Sequence, residues 1–175
     1  MKILLTGRPG IGKTTLIRRV LSSFKGKAGG FITEEIREKG ERVGFLVRDL
    51  EGKEALMAHV NFKEMPRVGR YGIWVSEFER VAIPALLKAK NESDLIVVDE
   101  IGKMEILSSS FREIIWEILN SPKALLGTIS LAQDPFLEKI RRSKNLEIME
   151  VTLENRDFLL SLILQRFQSA HGSLL

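Results

Sequence analysis

Apolar residues are spaced along this chain in two alternating patterns, one typical of buried strands and one typical of amphipathic helices. Residues 2–6 form a short, nearly continuous apolar run, which predicts a buried strand. After a glycine-rich turn, apolar residues recur at helical spacing from Thr14 to Phe24, which predicts a helix. A cluster of glycines at positions 26–30 ends this pattern, so the chain begins with one strand–turn–helix unit.

Residues 31–75 carry a different pattern, in which short strand-like runs are separated by turn signals. The predicted strands cover residues 31–36, 43–50, 55–60 and 71–75. The triplets Lys39-Gly40-Glu41 and Glu51-Gly52-Lys53 separate the first three runs and favour hairpins. We therefore expect an antiparallel β-insert over about residues 31–75.

The second half of the chain returns to alternating strands and helices. Helices are predicted over residues 77–90, 111–119, 135–142 and 155–167, and strands over residues 95–98, 124–129 and 147–151. Pro84 predicts a kink in the first of these helices, Ser108 to Ser110 can cap the second, and the last few residues are expected to fray. Repeated strand–helix units favour an α/β fold, in which helices cover both faces of a mostly parallel sheet.

The composition is that of an ordinary globular protein, and it narrows the classes of function. The 175 residues suffice for a single domain, residues 1–175, with a sizeable core. The absence of cysteine excludes disulfides, a thiol nucleophile and thiolate metal ligands. No apolar run is long enough to span a membrane, and the N-terminal run is too short for a signal peptide, so we expect a cytoplasmic protein without a membrane partner.

The net charge of +4 is a weak hint of nucleic acid binding. Positive and negative residues are interspersed, however, so a nucleic-acid partner is disfavoured. Beyond the first helix, the only tight basic cluster in the sequence comprises Lys139, Arg141, Arg142 and Lys144. It is interpreted as a solvated helix face.

The segment from Gly7 to Thr14 carries the pattern G-x-x-x-x-G-K-T between the first predicted strand and the first predicted helix. Its glycines let backbone N–H groups form a concave nest for phosphate oxygens, and the helix N-terminus adds its positive dipole end. The Lys13 ammonium can bridge the β- and γ-phosphates, which makes Lys13 a candidate catalytic residue, and the Thr14 hydroxyl can ligate Mg²⁺. The predicted nucleotide-binding residues are Gly7, Arg8, Pro9, Gly10, Ile11, Gly12, Lys13, Thr14 and Thr15.

Two carboxylates, Asp99 and Glu100, end the apolar strand predicted over residues 95–98. Ligands of parallel sheets bind at the carboxyl ends of the strands, so we expect both carboxylates beside the phosphate loop. Asp99 is the candidate Mg²⁺ ligand, directly or through water. Glu100 is the candidate catalytic base, which would deprotonate or orient a water in line with the γ-phosphate. A kinase would position an acceptor hydroxyl there, so Glu100 favours hydrolysis.

Four motifs make this chain similar to a known family. They are the phosphate loop with Thr14-Thr15, residues 30–37 (GFITEEIR), residues 98–105 (VDEIGKME) and residues 151–156 (VTLENR). On these motifs the chain resembles the nucleoside-triphosphatase family of thermophilic microbes, whose animal member is the cancer-related nucleoside-triphosphatase; Ile106 replaces the family's usual Leu. The resemblance implies a RecA-like P-loop fold, Mg²⁺ as cofactor, and hydrolysis of ATP, GTP, CTP and UTP to diphosphate and phosphate with loose base selectivity.

Asn155 and Arg156 lie between the last predicted strand and the last predicted helix, a region that often approaches the base in P-loop folds. Both are candidates for weak base contacts. Glu154 or Asn155 is equally interpretable as the N-cap of that helix.

Other polar residues are candidates for contacts with the γ-phosphate. The basic side chains that could neutralise its developing charge are Arg37, Lys103, Arg112, Arg141 and Arg142, each equally interpretable as part of a surface ion pair. Thr128 could bond the γ-phosphate or the attacking water, or simply the backbone at a strand end. His59 and His171 have no partner pattern and are interpreted as structural or disordered.

Two other functions remain open. A small-molecule or nucleoside kinase would share the loop and the metal, with Arg141-Arg142 as the only hint of a lid. A nucleic-acid-linked regulatory ATPase would fit the basic charge, although no aromatic platform or nucleic-acid motif is visible. The sequence leaves the oligomeric state open and is compatible with a monomer.

Overall fold

Strands and helices alternate along the computed structural model, which describes residues 1–172, with side chains through residue 170. The expected fraying of the last residues and the side chain of His171 lie outside this range. The strands are β1 (Lys2–Thr6), β2 (Ala28–Glu38), β3 (Glu41–Asp49), β4 (Glu54–His59), β5 (Arg67–Val68), β6 (Tyr71–Ile73), β7 (Leu95–Ile101), β8 (Ala124–Ile129) and β9 (Glu147–Glu150). The helices are α1 (Lys13–Ser23), α2 (Val75–Glu92), α3 (Ser109–Leu119), α4 (Pro135–Arg141) and α5 (Arg156–Gly172).

Within residues 1–172 all strands belong to one sheet of nine strands, in the order β5-β6-β4-β3-β2-β7-β8-β1-β9. The five strands from β2 to β9 in this order are parallel, and those from β5 to β3 are antiparallel. Strand β2 belongs to both parts, because its first residues pair with β7 and the rest with β3. The predicted antiparallel insert therefore continues the parallel sheet.

Two apolar cores lie on opposite faces of the sheet. Helices α2, α3 and α4 bury one face, and helices α1 and α5 bury the other. Alternate residues of β7 enter the two cores: Ile96 and Val98 face the first, and Leu95 and Val97 face the second. A strand buried on both faces needs apolar side chains at every position, and this requirement explains its continuous apolar sequence.

The predicted elements are all present, and their ends differ for physical reasons. Strand β7 continues past Val98 through the carboxylates to Ile101, although acidic residues have low strand preference. The predicted strand 71–75 ends at Ile73, and α2 begins at Val75 and continues through Pro84 to Glu92. Ser108 caps α3 by accepting a hydrogen bond from the Phe111 amide. Strand β5 and the 3₁₀ turn at Glu105–Leu107 are too short to leave a periodic signal.

A two-residue turn makes the hairpin between β2 and β3. Lys39 and Gly40 have φ angles of 51° and 79°. Positive φ at both central residues is typical of the tight turns whose twist matches paired antiparallel strands. The turn fixes the register of β2 against β3, and with it the side chains that this hairpin presents to the parallel part of the sheet.

Gly30 lies where β2 passes from its parallel to its antiparallel partner. Its φ angle is +118°, and a Cβ there would lie 2.0 Å from the carbonyl oxygen of Val97 in β7. That distance is far below any real contact, so only glycine allows β2 and β7 to approach this closely.

We expect Gly30→Ala to lower the free energy of unfolding strongly, because the methyl group strains the backbone and pushes β2 away from β7. Gly52→Ala is the matched control, since Gly52 has a φ of +101° and nothing within 4 Å of the added Cβ. The control should cost about 1–3 kcal/mol from backbone strain alone. Gly30→Ala should cost at least about 2 kcal/mol more in urea unfolding curves. Equal costs would show that the approach of β2 to β7 is not constrained by Gly30.

Candidate active site

The phosphate loop connects β1 to α1 through a tightly curved backbone. Gly7, Gly10 and Gly12 have φ angles of 147°, 79° and 106°, which residues with a side chain rarely adopt. Ile11 is buried and anchors the loop to the core beneath it. The loop therefore presents backbone N–H groups and the start of α1 on one side, as an anion nest requires.

The Lys13 ammonium lies across this loop. Its Nζ donates to the carbonyl oxygens of Gly7 at 2.6 Å and Arg8 at 3.2 Å. The positive charge is thereby held at the mouth of the nest, where phosphate oxygens would bind.

The buried Asp99 carboxylate connects three elements at the carboxyl end of the sheet. Its Oδ2 accepts from the Thr14 hydroxyl of α1 at 2.6 Å, and its Oδ1 accepts from the Thr128 hydroxyl of β8 at 2.7 Å. Asp99 is only 3% exposed. Burial raises the pKa of the Asp99 carboxyl, while both threonine hydrogen bonds and the charges of Lys13 and Arg18 oppose the rise.

The strand order explains the position of Thr128. Strand β8 lies between β7, which carries Asp99, and β1, which leads into the phosphate loop. Thr128 is fully buried at this junction and donates to a carboxylate rather than to the backbone. The sequence leaves open a contact of Thr128 with the γ-phosphate, with the attacking water or with the backbone; in the structure its hydroxyl donates to Asp99.

Glu100 follows Asp99 and faces the cleft, with its carboxyl group close to a second buried acid, Glu105. A Cβ on Gly102 would lie 2.6 Å from Oε1 of Glu100 and 3.0 Å from Oε1 of Glu105. Burial raises the pKa of Glu100, as does the neighbouring Asp99 charge, whereas Lys13 and Arg42 oppose the rise. Burial and the Glu100 charge raise the pKa of Glu105 well above its ordinary value.

One cleft of about 620 Å³ is lined by Lys13, Thr14, Asp99, Glu100 and Glu105. The phosphate loop forms one wall, and β7 with its 3₁₀ turn forms the floor. The β2–β3 hairpin forms the opposite wall through Thr33, Glu34, Glu35 and Arg42. The volume is in the range of clefts that hold a small ligand. The β-insert therefore contributes to the candidate site directly.

Among the five basic candidates from the sequence, Lys103 is the one that lines this cleft. Arg37 donates to the Gly40 carbonyl, pairs with Glu35 and lines a smaller adjoining cleft instead. Arg42 also lines the cleft and is the second residue of β3, close to the hairpin turn. It is not among the candidates named from the sequence. Its position depends on the hairpin register and on the pairing of β2 with β7, neither of which a charge pattern reveals.

The other basic candidates serve local structure. Arg112 donates to the Ile106 carbonyl, and Arg141 donates to the carbonyls of Ser130 and Ala132 while pairing with Glu138. Arg142 is exposed at the end of α4. The structure therefore brings none of these three guanidinium groups into the cleft lining.

Asn155 and Arg156 differ in what surrounds them. The Asn155 amide oxygen accepts from the Thr152 amide, and its nitrogen donates to the Glu150 carbonyl, both at 2.8 Å, so the side chain holds the turn before α5. Arg156 lies over the phosphate loop, because a Cβ on Gly12 would be 3.7 Å from its Nη1. His59 is part of a turn, where its Nδ1 accepts from the Asn61 amide.

The donor set at Asp99 and Thr14 fits Mg²⁺. Two oxygen atoms, a carboxylate and a hydroxyl, converge within 2.6 Å of each other beside the phosphate nest. Among the described residues, no group of three or more His, Cys, Asp or Glu side chains could hold a metal alone. Mg²⁺ is commonly bound by one or two protein oxygens together with substrate phosphates, and this site offers that arrangement.

None of the helices within residues 1–172 is long and apolar enough to cross a membrane.

Comparison with known proteins identifies relatives over nearly the whole chain. The profile of a family described as NTPase matches residues 2–164. The nucleoside-triphosphatase THEP1 of Thermotoga sp. (strain RQ2) is 46% identical over 172 residues, which cover 98% of both chains. The crystal structure of THEP1 from the hyperthermophile Aquifex aeolicus superposes with a TM-score of 0.89 at 38% identity, covering 95% of this chain and 99% of that one. The solution structure of a human cancer-related nucleoside triphosphatase gives a TM-score of 0.79 at 38% identity, covering 96% and 97%.

We expect Asp99→Asn to stabilise the protein free of nucleotide and metal, because it removes a buried charge and keeps the shape of the side chain. The raised pKa sets the sign: the folded state binds the proton more tightly, so stability falls as the pH rises through the window between the unfolded and folded pKa values. At neutral pH the variant should gain about 1 kcal/mol or more, roughly 2–4 °C in melting temperature for a domain of this size. The gain should vanish in acid.

Thermal unfolding in EDTA at neutral and acidic pH measures this difference. Asp157→Asn is the matched control, because its carboxylate is 84% exposed and, among the described residues, pairs with Arg19 alone. The control should change stability by less than about 0.5 kcal/mol. A less stable Asp99→Asn variant at neutral pH would contradict the buried-charge interpretation.

Proposed function

Since this chain belongs to the NTPase family and is a nucleoside-triphosphatase, we propose that it hydrolyses ATP, GTP, CTP and UTP, with Mg²⁺, to the diphosphate and phosphate. The observation that carries the proposal is the cleft in which the phosphate loop, the Thr14–Asp99 pair and Glu100 face one another. The composition, free of cysteine, favours a cytoplasmic location as part of the same proposal.

The phosphate loop binds the triphosphate in this proposal. Backbone N–H groups of the loop between Gly7 and Lys13, to which Pro9 contributes none, donate to the α- and β-phosphate oxygens. The Lys13 ammonium exchanges its two loop carbonyls for β- and γ-phosphate oxygens and neutralises their charge. Thr15 follows at the first turn of α1, where its exposed side chain can reach the α-phosphate.

Thr14 and Asp99 hold the metal. The Thr14 hydroxyl ligates the ion with an oxygen lone pair, and the Asp99 carboxylate binds it directly or through water. When bound, Mg²⁺ neutralises charge on the β- and γ-phosphate oxygens. The Thr128 hydrogen bond keeps the Asp99 carboxylate oriented, because one carboxylate oxygen remains tied to β8.

Glu100 acts on the attacking water. Its carboxylate accepts a proton from a water positioned in line with the γ-phosphorus, and the water oxygen forms the new P–O bond. The bond between the γ-phosphorus and the β–γ bridging oxygen breaks, and the diphosphate leaves. The buried surroundings that raise the pKa of Glu100 also make it a stronger base than an exposed glutamate.

Loose base selectivity follows from the position of the groups that bind the nucleotide. The binding groups proposed above contact phosphates and metal, which all four triphosphates share. Arg156 lies over the loop at Gly12 and is the proposed weak contact at the base end, with Asn155 holding the turn that carries it.

Glu100→Gln should retain nucleotide binding and lower kcat by roughly 10²-fold or more, because the amide cannot accept the proton from water. Phosphate release under single-turnover conditions and binding of a fluorescent nucleotide measure the two effects. Glu117→Gln is the control, since its carboxylate is on α3, 61% exposed and paired with Lys90. Normal turnover in Glu100→Gln would remove Glu100 from the mechanism.

Incubation of the protein with each of the four triphosphates should release phosphate and the matching diphosphate when Mg²⁺ is present, and EDTA should abolish the release. We expect kcat/KM values within about tenfold of one another, because one tenfold step corresponds to only about 1.4 kcal/mol of base-specific binding. Transfer to an added nucleoside without release of phosphate would identify a kinase. Turnover that rises many-fold with RNA or DNA would identify a nucleic-acid-linked ATPase.

A further inference from the structure

We propose that Arg42 is a catalytic residue of this nucleoside-triphosphatase, whose guanidinium contacts the γ-phosphoryl group and stabilises the charge of the transition state. The inference deepens the proposed function and rests on it, since it requires that the triphosphate bind in the cleft described above.

Arg42 lines two neighbouring clefts. Arg42 lines the main cleft together with Lys13, Asp99 and Glu100. It also lines an adjoining cleft with Pro9 and Gly10 at the tip of the phosphate loop. Arg42 therefore lies between the tip of the loop and the acidic floor. A triphosphate whose β-phosphate lies in the nest has its γ-phosphate directed toward this space.

The Arg42 guanidinium is held in place by its neighbours. Its Nε donates to the Tyr71 hydroxyl at 3.2 Å, and its Nη1 donates to a Glu35 carboxylate oxygen at 3.0 Å. The group also lies 5.5 Å from the centre of the Phe45 ring. Tyr71 is only 8% exposed, so this support is rigid. A donor fixed in this way needs no reorganisation when charge develops.

Nη2 is the remaining nitrogen of the Arg42 guanidinium. No hydrogen bond or ion pair within residues 1–172 engages Nη2 of Arg42, while its other two nitrogens are occupied. The Arg42 side chain is 35% exposed and lines the cleft. A guanidinium with two anchored nitrogens and one free N–H₂ group is suited to donate to a phosphoryl oxygen.

Apart from Lys13 of the phosphate loop, the other basic group that lines the main cleft is Lys103, and it has no such support. Lys103 is exposed, and no hydrogen bond or ion pair with the described residues holds its ammonium. Arg37, on the same hairpin as Arg42, is tied to the Gly40 carbonyl and to Glu35. Arg42 differs from Arg37 in lining the main cleft and in keeping one nitrogen, Nη2, unengaged by the described residues, whereas all three Arg37 nitrogens are used.

The chemistry explains why a fixed guanidinium matters. As the β–γ bond breaks and water adds, negative charge spreads over the γ-phosphoryl oxygens and the bridging oxygen. An arginine that donates to these oxygens lowers the barrier without strengthening ground-state binding to the same extent. Such arginines are supplied by a partner in some P-loop enzymes and from the same chain in others. In this chain the β-insert would supply it.

Arg42→Ala tests the proposal in the full-length protein with Mg²⁺ and ATP. Because an arginine that stabilises this transition state is worth about 10³-fold or more, kcat should fall by at least about 10²-fold. The dissociation constant of ADP should change less than about threefold, whereas binding of ADP with aluminium fluoride, which resembles the transition state, should be lost. Arg42→Lys should restore only part of kcat, because an ammonium lacks the planar fork. Added guanidinium ion should partly restore turnover in Arg42→Ala.

Arg67→Ala is the matched control. It removes the same charge from the same β-insert, but its guanidinium donates to the Arg70 carbonyl and lies in the lining of neither cleft. The control should retain kcat within about twofold. If Arg42→Ala does not fold, Arg42→Gln replaces it, since glutamine retains part of the aliphatic stem and removes the charge.

The outcomes separate this inference from the proposed function. If the unmodified protein releases no phosphate from any triphosphate, the proposed function fails. If it does release phosphate, and Arg42→Ala or Arg42→Gln retains kcat and binds the aluminium fluoride complex as tightly as the unmodified protein, the role of Arg42 is refuted.

Discussion

The buried carboxylate of Asp99 is the constraint on which the rest of this structure depends. A charge this deeply buried is costly, and the fold compensates by aiming two hydroxyl groups at it, one from α1 and one from β8. These two hydrogen bonds bring together the start of the helix after the phosphate loop and the ends of two central strands. The same oxygens that satisfy the carboxylate in this way are suited to hold a cation. Stability and chemistry therefore make opposite demands on one side chain.

The second organising feature is strand β2, which has a parallel neighbour on one side and an antiparallel neighbour on the other. Its first residues run parallel to β7, and its later residues run antiparallel to β3. Gly30 makes the change of partner possible by allowing a backbone approach that a side chain would block. The hairpin that follows is thereby directed over the phosphate loop, and it brings Glu35 and Arg42 to the cleft.

The sequence predicted the parts of the site that depend on local signals. The phosphate loop has a fixed spacing of glycines and lysine, and Asp99 and Glu100 stand at the end of an unmistakable apolar strand. Strand order is not a local signal, so the role of Thr128 as the donor to Asp99 was missed. Arg42 was missed for the same reason: one basic residue in a charged hairpin looks like any other until the pairing of β2 with β7 is known. Glu105 was present in a recognised motif, but only the 3₁₀ turn reveals that it is buried beside Glu100.

The continuity of the nine-stranded sheet has a mechanical consequence. The wall that faces the phosphate loop is joined to the core by the ladder between β2 and β7, rather than by a flexible connection. To swing away, it would have to rupture backbone pairings in the middle of the sheet. This attachment favours nucleotide exchange through the open rim of the cleft, in contrast to enzymes in which a hinged cover admits the substrate.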